Sequence, residues 1–327
     1  MTTTPTDVSV PLDALRAVVA PVGRATSAER LTGGLFAMTY RVHLDDGRRV
    51  VVKTAPTGTD RLLSHEHDLL RAEALVYELA HPRGVAVPRV LLTDWTRAHL
   101  PSDAVVVTHL DGVPLAGAQL AGDAATIARR GVGAAMARLH AIERAPFGYP
   151  GKPAFQGATW REAFGRMVEA LLADADRWRV ALPAADVRGA LDRHGAALDA
   201  VTRPALVHTD LWPGNVFVDP ASGALTGVID PERAIFGDPL VDVVGCDPFG
   251  RSQDDATLLG GYAQAAGAPL DVDSASARAR LALYRLWLAI VMTVERVPRE
   301  YQGDWVAGYD AEVDRMLAAA LAEVRSA

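Results

Sequence analysis

Cysteine and lysine are scarce in this sequence. Cys246 is the only cysteine among 327 residues, which excludes an intramolecular disulfide and a zinc site built from the chain's own cysteines. The basic residues number 33, yet only Lys53 and Lys152 are lysines, so a lysine at a given position is unusual. The net charge is −7, and no basic tract is interleaved with aromatic residues. We therefore expect no nucleic-acid partner.

Long apolar runs are also missing. The richest stretch, LALYRLWLAIVMTV, contains Arg285 and is shorter than the ~20 apolar residues of a membrane span. The first residues, MTTTPTDVSVPLD, have neither the basic start nor the apolar region of a secretory signal, so we expect a cytoplasmic protein without a membrane segment. Half of the residues are hydrophobic, enough for a large core or for two lobes that share a cleft.

The residue pattern changes one third of the way along the chain. Residues 25–54 alternate as strands around a DDG turn, residues 62–79 have helical spacing, and VAVPRVLL and AVVVTHL resemble further strands. After DGVPL, Ala- and Leu-rich helical segments dominate; they cover residues 123–142, 159–175, 186–201, 254–266, 274–297 and 310–324. The sequence predicts an α+β fold, with a β-rich lobe at residues 1–110 and an α-rich lobe at 111–327.

Two short β-like segments inside the helical region carry polar residues at their ends. ALVHTDLWPGNVFVD places Asp210 and Asn215 in a turn between apolar runs, and LTGVIDPERAIFGDP places Asp230 after the next run. Turn formation alone explains such residues in many proteins. Two adjacent strands that both end in carboxylate or amide groups would, however, bring Asp210, Asn215 and Asp230 to one sheet edge.

This set of side chains suits phosphoryl transfer. Asn215 and Asp230 offer the oxygen ligands that Mg²⁺ prefers, and Asp210 is free to orient a hydroxyl and accept its proton. A metal-dependent hydrolase built on His208 and Asp210 is an alternative, although further ligands at helical spacing are missing.

The β-rich part offers a cation for the phosphates. Lys53 lies in the apolar segment VVVKT, where an unpaired ammonium would be costly, and Glu66, Glu73 and Glu78 on the following helix are candidate partners. The alternative is a lysine that protects an edge strand. The LTGG segment, with Gly33 and Gly34, predicts either a hairpin turn or a loop that approaches phosphates closely.

At this point the sequence resembles the aminoglycoside phosphotransferase and choline kinase family, small-molecule kinases with a two-lobed protein-kinase-like fold. The resemblance rests on LTGGLFAMTYRV, VVVK, VHTDLWPGNVFV and GVIDPERAIFGDP followed by Asp242. It implies that Asp210 is the catalytic base, that Asn215 and Asp230 hold Mg²⁺, and that Lys53 contacts the ATP phosphates.

The same resemblance implies roles for further residues. Glu73, rather than Glu66, would pair with Lys53, and His208 and Asp242 would brace the catalytic loop. The residues implied to contact the nucleotide also include Gly33, Gly34, Val51, Thr108, His109, Leu110 and Ile229.

The substrate is less well defined. Thr209 stands where the family has glycine and Pro231 where an aromatic is common, and DLWPGN with IDP resembles the fructosamine kinase branch. We expect ATP, with GTP as the alternative, to phosphorylate a hydroxyl of a small molecule such as an aminoglycoside or other antibiotic. A metabolic kinase of the fructosamine, sugar, amino-alcohol or homoserine type and a nucleotide-binding pseudokinase are the alternatives.

An acid-rich segment favours a cationic acceptor. In the family, this part of the α-rich lobe borders the acceptor pocket, so we expect its carboxylates to form an acidic wall; they are Asp254, Asp255, Asp271, Asp273, Glu295, Glu300, Asp304, Asp310, Glu312 and Asp314.

Overall fold

The computed structural model describes residues 10–31 and 37–326. A five-stranded antiparallel sheet with two helices forms the N-terminal lobe, and a mostly helical lobe follows it. The fold is therefore α+β with two lobes, as the sequence predicts. Within the described residues, no helix is both long and apolar enough to cross a bilayer.

The N-terminal sheet lies between two helices. Its strands have the order β1-β2-β3-β5-β4, and the elements of this lobe are α1 (Leu12–Val19), β1 (Ala25–Leu31), β2 (Met38–Leu44), β3 (Arg49–Thr54), α2 (Leu69–Ala80), β4 (Val90–Asp94) and β5 (Ala104–Thr108). Val50 and Val52 of β3 pack in the cluster that contains α1, so the intervening residues of this strand face the α2 side. Lys53 is one of them.

The helix predicted over residues 62–79 begins later than expected. The structure starts α2 at Leu69, and residues 60–68 form an irregular segment that is bound to the C-terminal lobe. The backbone N–H of Ser64 donates to Asp174 at 2.8 Å, and Glu66 accepts from the N–H of Leu63 at 3.0 Å. These bonds replace the first turns of the predicted helix, which explains why apolar spacing alone placed its start wrongly.

The C-terminal lobe combines eight helices of the described chain with two small sheets. The helices are α3 (Gly122–His140), α4 (Trp160–Trp178), α5 (Ala184–Arg193), α6 (Gly195–Asp199), α7 (Leu240–Gly245), α8 (Ala256–Ala266), α9 (Ala275–Arg299) and α10 (Val306–Ser326). The predicted helix over residues 186–201 is divided at His194, whose ring nitrogen lies 2.9 Å from the carbonyl of Val324.

The two small sheets carry the polar loops. One has the order β11-β10-β6 and the other β8-β7-β12-β9; the strands are β6 (Val113–Pro114), β7 (Phe147–Gly148), β8 (Gln156–Gly157), β9 (Ala205–Val207), β10 (Val216–Val218), β11 (Leu225–Val228) and β12 (Ile235–Gly237). The β9–β10 loop contains Asp210, and the β11–β12 turn contains Asp230. The antiparallel pairing of β10 with β11 and of β9 with β12 brings these two connections together.

Helices α3 and α8 cross at close range because glycines face backbone at the contact. A Cβ atom on Gly133 would lie 2.0 Å from the carbonyl oxygen of Leu258, and one on Gly261 would lie 2.2 Å from that of Arg130. Gly260, the next residue along α8, has open space where its Cβ would be. The crossing therefore depends on Gly261 and not on its neighbour.

The adjacent glycines predict opposite effects on stability. Gly261→Ala should lower the free energy of unfolding by about 1–3 kcal/mol, because a methyl group would push the helices apart. Gly260→Ala should raise it by about 0.5–1 kcal/mol, because alanine restricts the unfolded chain. Urea denaturation of both variants measures the difference, and equal shifts would contradict the close crossing.

Candidate active site

The loop between β9 and β10 presents Asp210 and Asn215 side by side. The Asn215 side-chain amide donates to the Asp210 carbonyl at 2.9 Å and to the Asp210 carboxylate at 3.0 Å. These two bonds direct the amide nitrogen inward, which leaves the amide oxygen available as an acceptor or ligand. The structure thus joins two of the sequence-predicted site residues directly.

Asp242 on α7 holds this loop from behind. Its fully buried carboxylate accepts the backbone N–H groups of His208 at 3.1 Å and Thr209 at 2.7 Å, and it lies 2.9 Å from Nε2 of His140. A buried carboxylate with three donors is well satisfied, so it fixes the loop at little electrostatic cost.

Both ring nitrogens of His208 are engaged by backbone groups. Nδ1 accepts from the Asp210 N–H at 3.3 Å, and Nε2 donates to the Ile229 carbonyl at 2.9 Å. His208 therefore links the Asp210 loop to the segment before Asp230. With both nitrogens occupied, this ring has no free nitrogen for a metal, which argues against the hydrolase alternative.

Two residues of the site have left-handed backbone angles. Thr209 has a φ of 72° and Asp230 a φ of 60°. Such angles are uncommon outside glycine and are strained for a β-branched residue such as threonine. Thr209 occupies the position where the resembled family has glycine, and the Asp242 bond described above holds it there.

Lys53 is bound by two carboxylates from different parts of the fold. Its ammonium lies 2.6 Å from Glu73 on α2 and also donates to Asp230. Although desolvation opposes them, these two carboxylates raise the pKa of Lys53 above its usual value. Glu73 is completely buried, and Tyr77, one helical turn later, donates to it at 2.7 Å.

Glu66, the alternative partner of Lys53, lies in a separate ion cluster. Arg233 donates to Glu66 and to Glu295, both at 2.9 Å, and Arg299 also contacts Glu66. Although desolvation acts the other way, Arg299 and Arg233 lower the pKa of Glu66 to about 2. The cluster ties residues 60–68 of the N-terminal lobe to the turn after Asp230.

Asp210 has the electrostatics of a proton acceptor in a partly desolvated site. Desolvation raises its pKa above the usual value, and the nearby Arg233 acts in the opposite direction. The carboxylate is therefore more basic than an exposed aspartate, which favours general-base chemistry.

Glu232 is a site residue that the sequence reasoning missed. It lies in the turn after Asp230, lines the same cavity as Lys53 and Asp230, and its carboxylate has no hydrogen bond or ion pair within the described part of the chain. Desolvation, opposed by Lys53, raises its pKa to about 7. The available signal was a second acid two residues after the predicted ligand.

A cavity of about 650 Å³ contains these groups. Four of the sequence-predicted site residues line it, namely Lys53, Asp210, Asn215 and Asp230. Of the ten acids expected to form an acceptor wall, only Glu295 lines it, and Glu295 is paired with Arg233. The others lie elsewhere in ion pairs, helix caps or on the surface: Asp255 binds Arg129, for example, and Asp310 binds Arg296.

The residues expected at the adenine lie outside the lining of this cavity. Val51 is half-buried on β3, and Thr108, at the end of β5, pairs with Val50. His109 accepts from Arg41 at 3.1 Å, and the Leu110 side chain packs over Gly227. The backbone of Ile229 is bound by Asn215 and His208. Gly33 and Gly34 lie outside the described residues.

The oxygen groups fit a metal that is shared with a substrate. Among residues 10–31 and 37–326, no group of three or more His, Cys, Asp or Glu side chains is arranged to hold an ion by itself. Mg²⁺ in phosphoryl-transfer sites takes one or two carboxylates and completes its shell with phosphate and water. Asp230 with the oxygen of Asn215, and Glu232 nearby, fit that requirement.

A comparison with protein-family models matches residues 27–284 to the phosphotransferase enzyme family. The chain belongs to this family. It is therefore a small-molecule phosphotransferase, and the resemblance stated from the sequence motifs is confirmed. A search of curated proteins finds no match.

Solved structures of other phosphotransferases resemble the whole chain. A putative fructosamine-3-kinase from Thermobifida fusca YX-ER1 has a TM-score of 0.70 at 23% identity, with 97% of this chain and 100% of that one covered. A putative aminoglycoside phosphotransferase from Ralstonia eutropha JMP134 has a TM-score of 0.67 at 16% identity, with 97% and 98% covered.

A third structure contains ligands. It is a thermostable mutant of the aminoglycoside phosphotransferase APH(4)-Ia in ternary complex with ADP and hygromycin B, with a TM-score of 0.64 at 18% identity and coverage of 95% and 97%. At these identities the three likenesses show the fold, which is the bilobal kinase-like fold of this family.

The burial of the Lys53–Glu73 pair predicts a strongly non-additive effect on stability. Lys53→Met should cost about 3–5 kcal/mol, because it leaves the Glu73 carboxylate buried without its cation. The double variant Lys53→Met/Glu73→Gln should recover much of that loss. Urea denaturation in a double-mutant cycle measures the coupling.

An exposed pair in the same chain is the matched control. Arg188 and Glu169 form two bonds of 2.8 Å, with about half of each side chain exposed. The corresponding cycle with Arg188→Met and Glu169→Gln should be nearly additive, because solvent screens such pairs. Additivity in both cycles would show that Glu73 does not depend on Lys53.

Proposed function

We propose that this protein is an ATP-dependent kinase that transfers the γ-phosphoryl group to a hydroxyl of a small molecule. The observation that carries the proposal is the convergence of Lys53, Asp210, Asn215 and Asp230 on one cavity. Phosphoryl transfer requires a cation on the phosphates, oxygen ligands for a metal and a carboxylate that orients the attacking hydroxyl. Each of these requirements has a candidate here, which also argues against a pseudokinase.

In the proposed reaction, Asp210 orients the acceptor hydroxyl and accepts its proton. The hydroxyl oxygen bonds to the γ-phosphorus as the bond between that phosphorus and the β–γ bridging oxygen breaks, which releases ADP. Lys53 binds the α and β phosphates and is positioned by Glu73. Asp230 and Asn215, with Glu232 as a further candidate, would hold Mg²⁺, which when bound neutralises phosphate charge.

The nucleotide end is assigned by resemblance. Val51 and Ile229 would enclose the adenine, the backbone of residues 108–110 would meet its edge, and Gly33 and Gly34 would approach the phosphates. ATP is the proposed donor, and the complex of the APH(4)-Ia relative with ADP supports a nucleotide of this kind.

Two features support a small acceptor of limited charge. Only residues 231–239 separate Asp230 from α7, which is too short for the peptide-docking segment of a protein kinase. The acids expected to hold an aminoglycoside are, apart from Glu295, absent from the cavity lining. A metabolic or antibiotic acceptor with few amino groups is therefore favoured over a polycationic one.

Asp210→Asn should reduce ATP-dependent turnover of the acceptor by about 10²- to 10⁴-fold, because the amide cannot accept the hydroxyl proton. ATP affinity should stay close to that of the wild type, since Asp210 makes no phosphate contact in the proposal. A coupled ADP-release assay and calorimetry measure the two quantities. Asp199→Asn, an exposed surface change, is the control. Unchanged turnover in Asp210→Asn would show that Asp210 does not accept the hydroxyl proton.

Asp230→Ala should weaken ATP binding in the presence of Mg²⁺ by about tenfold or more, the loss of one charge-assisted contact. In EDTA the variant should bind ATP no more weakly than the wild type, because the ammonium of Lys53 is then released from Asp230. Asn215→Ala should have the smaller effect. Calorimetry with and without Mg²⁺ makes the comparison, and a loss that persists in EDTA would contradict a metal-mediated role.

A further inference from the structure

Four aromatic side chains form a continuous surface on one side of the cavity. This aromatic wall consists of Phe249, Tyr301, Trp305 and Tyr309. The ring centroids of Tyr301 and Trp305 are 5.5 Å apart, those of Trp305 and Tyr309 5.6 Å, and those of Phe249 and Tyr309 6.4 Å. The Trp305–Tyr309 and Phe249–Tyr309 pairs are edge-to-face and the Tyr301–Trp305 pair is tilted, so neighbouring rings are in contact and the wall is one preformed unit.

The wall exposes apolar area at an unusual place. Phe249 is 48% exposed and Trp305 47%, and Trp212, in the Asp210 loop, is 43% exposed. These three are among the five large hydrophobic residues that are exposed in the described chain, and all three line the cavity that contains Asp210. Apolar surface concentrated beside a proton acceptor indicates a binding face for the acceptor molecule.

Two carboxylates that line this cavity have no hydrogen bond or ion pair within the described residues: Glu232, which lies close to Lys53 and Asp230, and Asp247, which lies beside the aromatic wall. Asp247 lies two residues from Phe249, and its side chain makes no hydrogen bond or ion pair within the described residues. Arg129 of the lining interacts electrostatically with Asp247, but its direct bonds go to Asp255 and, at 2.9 Å, to Ser252. Asp247 is therefore free to bind a cationic or donor group of a ligand.

The other charges of this region are already neutralised. Glu295 accepts from Arg233 and from the hydroxyl of Tyr301 at 3.3 Å, and Arg299 lies 3.5 Å from it. A polycation would therefore meet a single free carboxylate at the wall, with the guanidinium groups of Arg233 and Arg299 close by. Asp247 can pair with one amino group, whereas further amino groups would give up water without gaining a free carboxylate at the wall.

We propose that the acceptor has an apolar or aromatic ring that packs on the aromatic wall and a single amino group that pairs with Asp247. The proposal rests on the proposed function, because the hydroxyl of such a molecule would face Asp210. Trp and Tyr faces attract both flat rings and ammonium groups, so the wall and Asp247 favour the same ligand.

Four probes separate the contributions. 2-Amino-1-phenylethanol carries a ring, a hydroxyl and one amino group; 1-phenylethane-1,2-diol lacks the amine; 2-aminoethanol lacks the ring; and hygromycin B is a larger molecule with several amino groups. Calorimetry without nucleotide should give the first probe at least tenfold higher affinity than each of the others. Equal affinities, or tightest binding of hygromycin B, would overturn the proposal.

Variants assign the affinity to the proposed contacts. Trp305→Ala should weaken binding of 2-amino-1-phenylethanol at least fivefold, and Phe249→Ala carries the same test if Trp305→Ala does not fold. Asp247→Asn should weaken binding of 2-amino-1-phenylethanol but leave the affinity for 1-phenylethane-1,2-diol unchanged. Asp304→Asn is the control, because Asp304 is an exposed acid beside Trp305 that does not line the cavity. This variant should leave the affinities for both probes unchanged. The assignment of the amino group to Asp247 would be overturned if Asp304→Asn weakened binding of 2-amino-1-phenylethanol. It would also be overturned if Asp247→Asn left that binding unchanged.

Turnover distinguishes this proposal from the kinase proposal. ADP release with 2-amino-1-phenylethanol, slowed by Trp305→Ala through a higher KM and not a lower kcat, supports both. Specific binding of this probe without ADP release by any hydroxyl compound contradicts the kinase function and leaves the acceptor site standing. ADP release with hygromycin B that is indifferent to Trp305→Ala leaves the kinase standing and overturns the acceptor site.

Discussion

The burial of one lysine organises this site. Strand β3 directs Lys53 toward α2, where an ammonium without carboxylates would be strongly unfavourable. Its two partners come from separate elements, Glu73 from the helix and Asp230 from the turn after β11. Satisfying one charge therefore fixes the rotation of α2 and holds a turn of the C-terminal lobe under the N-terminal sheet. The Arg233 cluster with Glu66 and Glu295 extends this connection through the same turn.

Two residues of the site that Lys53 organises have strained backbone angles. The left-handed angles of Thr209 and Asp230 cost roughly 1–3 kcal/mol each, and each is held by a bond from a rigid element. Asp242 of α7 fixes the N–H of Thr209, and Tyr77 of α2 accepts the N–H of Asp230 at 3.2 Å. The helices thus maintain an arrangement that the loops would not adopt on their own, with Asp210 between them.

The sequence predicts the parts of this structure that local chemistry determines. The alternation of β3 and the cost of a buried ammonium predict a partner for Lys53, and the polar ends of two apolar segments predict the meeting of Asp210, Asn215 and Asp230. Residues 62–68 have helical spacing but form tertiary bonds instead, through Ser64 and Glu66. The predicted acidic wall was wrong for a related reason. Composition shows that the segment is rich in acids, but it cannot show which face of α9 or α10 borders the cavity. The aromatic wall joins Phe249 to residues more than fifty positions away, so no local pattern predicts it.

The short connection from Asp230 to α7 also bears on how such an enzyme is controlled. In residues 231–239 there is no long segment that phosphorylation could order or release, and the Lys53–Glu73 contact is made within a packed core. This connection therefore has no room for the kind of switch that an activation segment gives a protein kinase. Lys53 and Glu73 are paired without one, so the contact that such a segment controls in protein kinases is built into the folded core here.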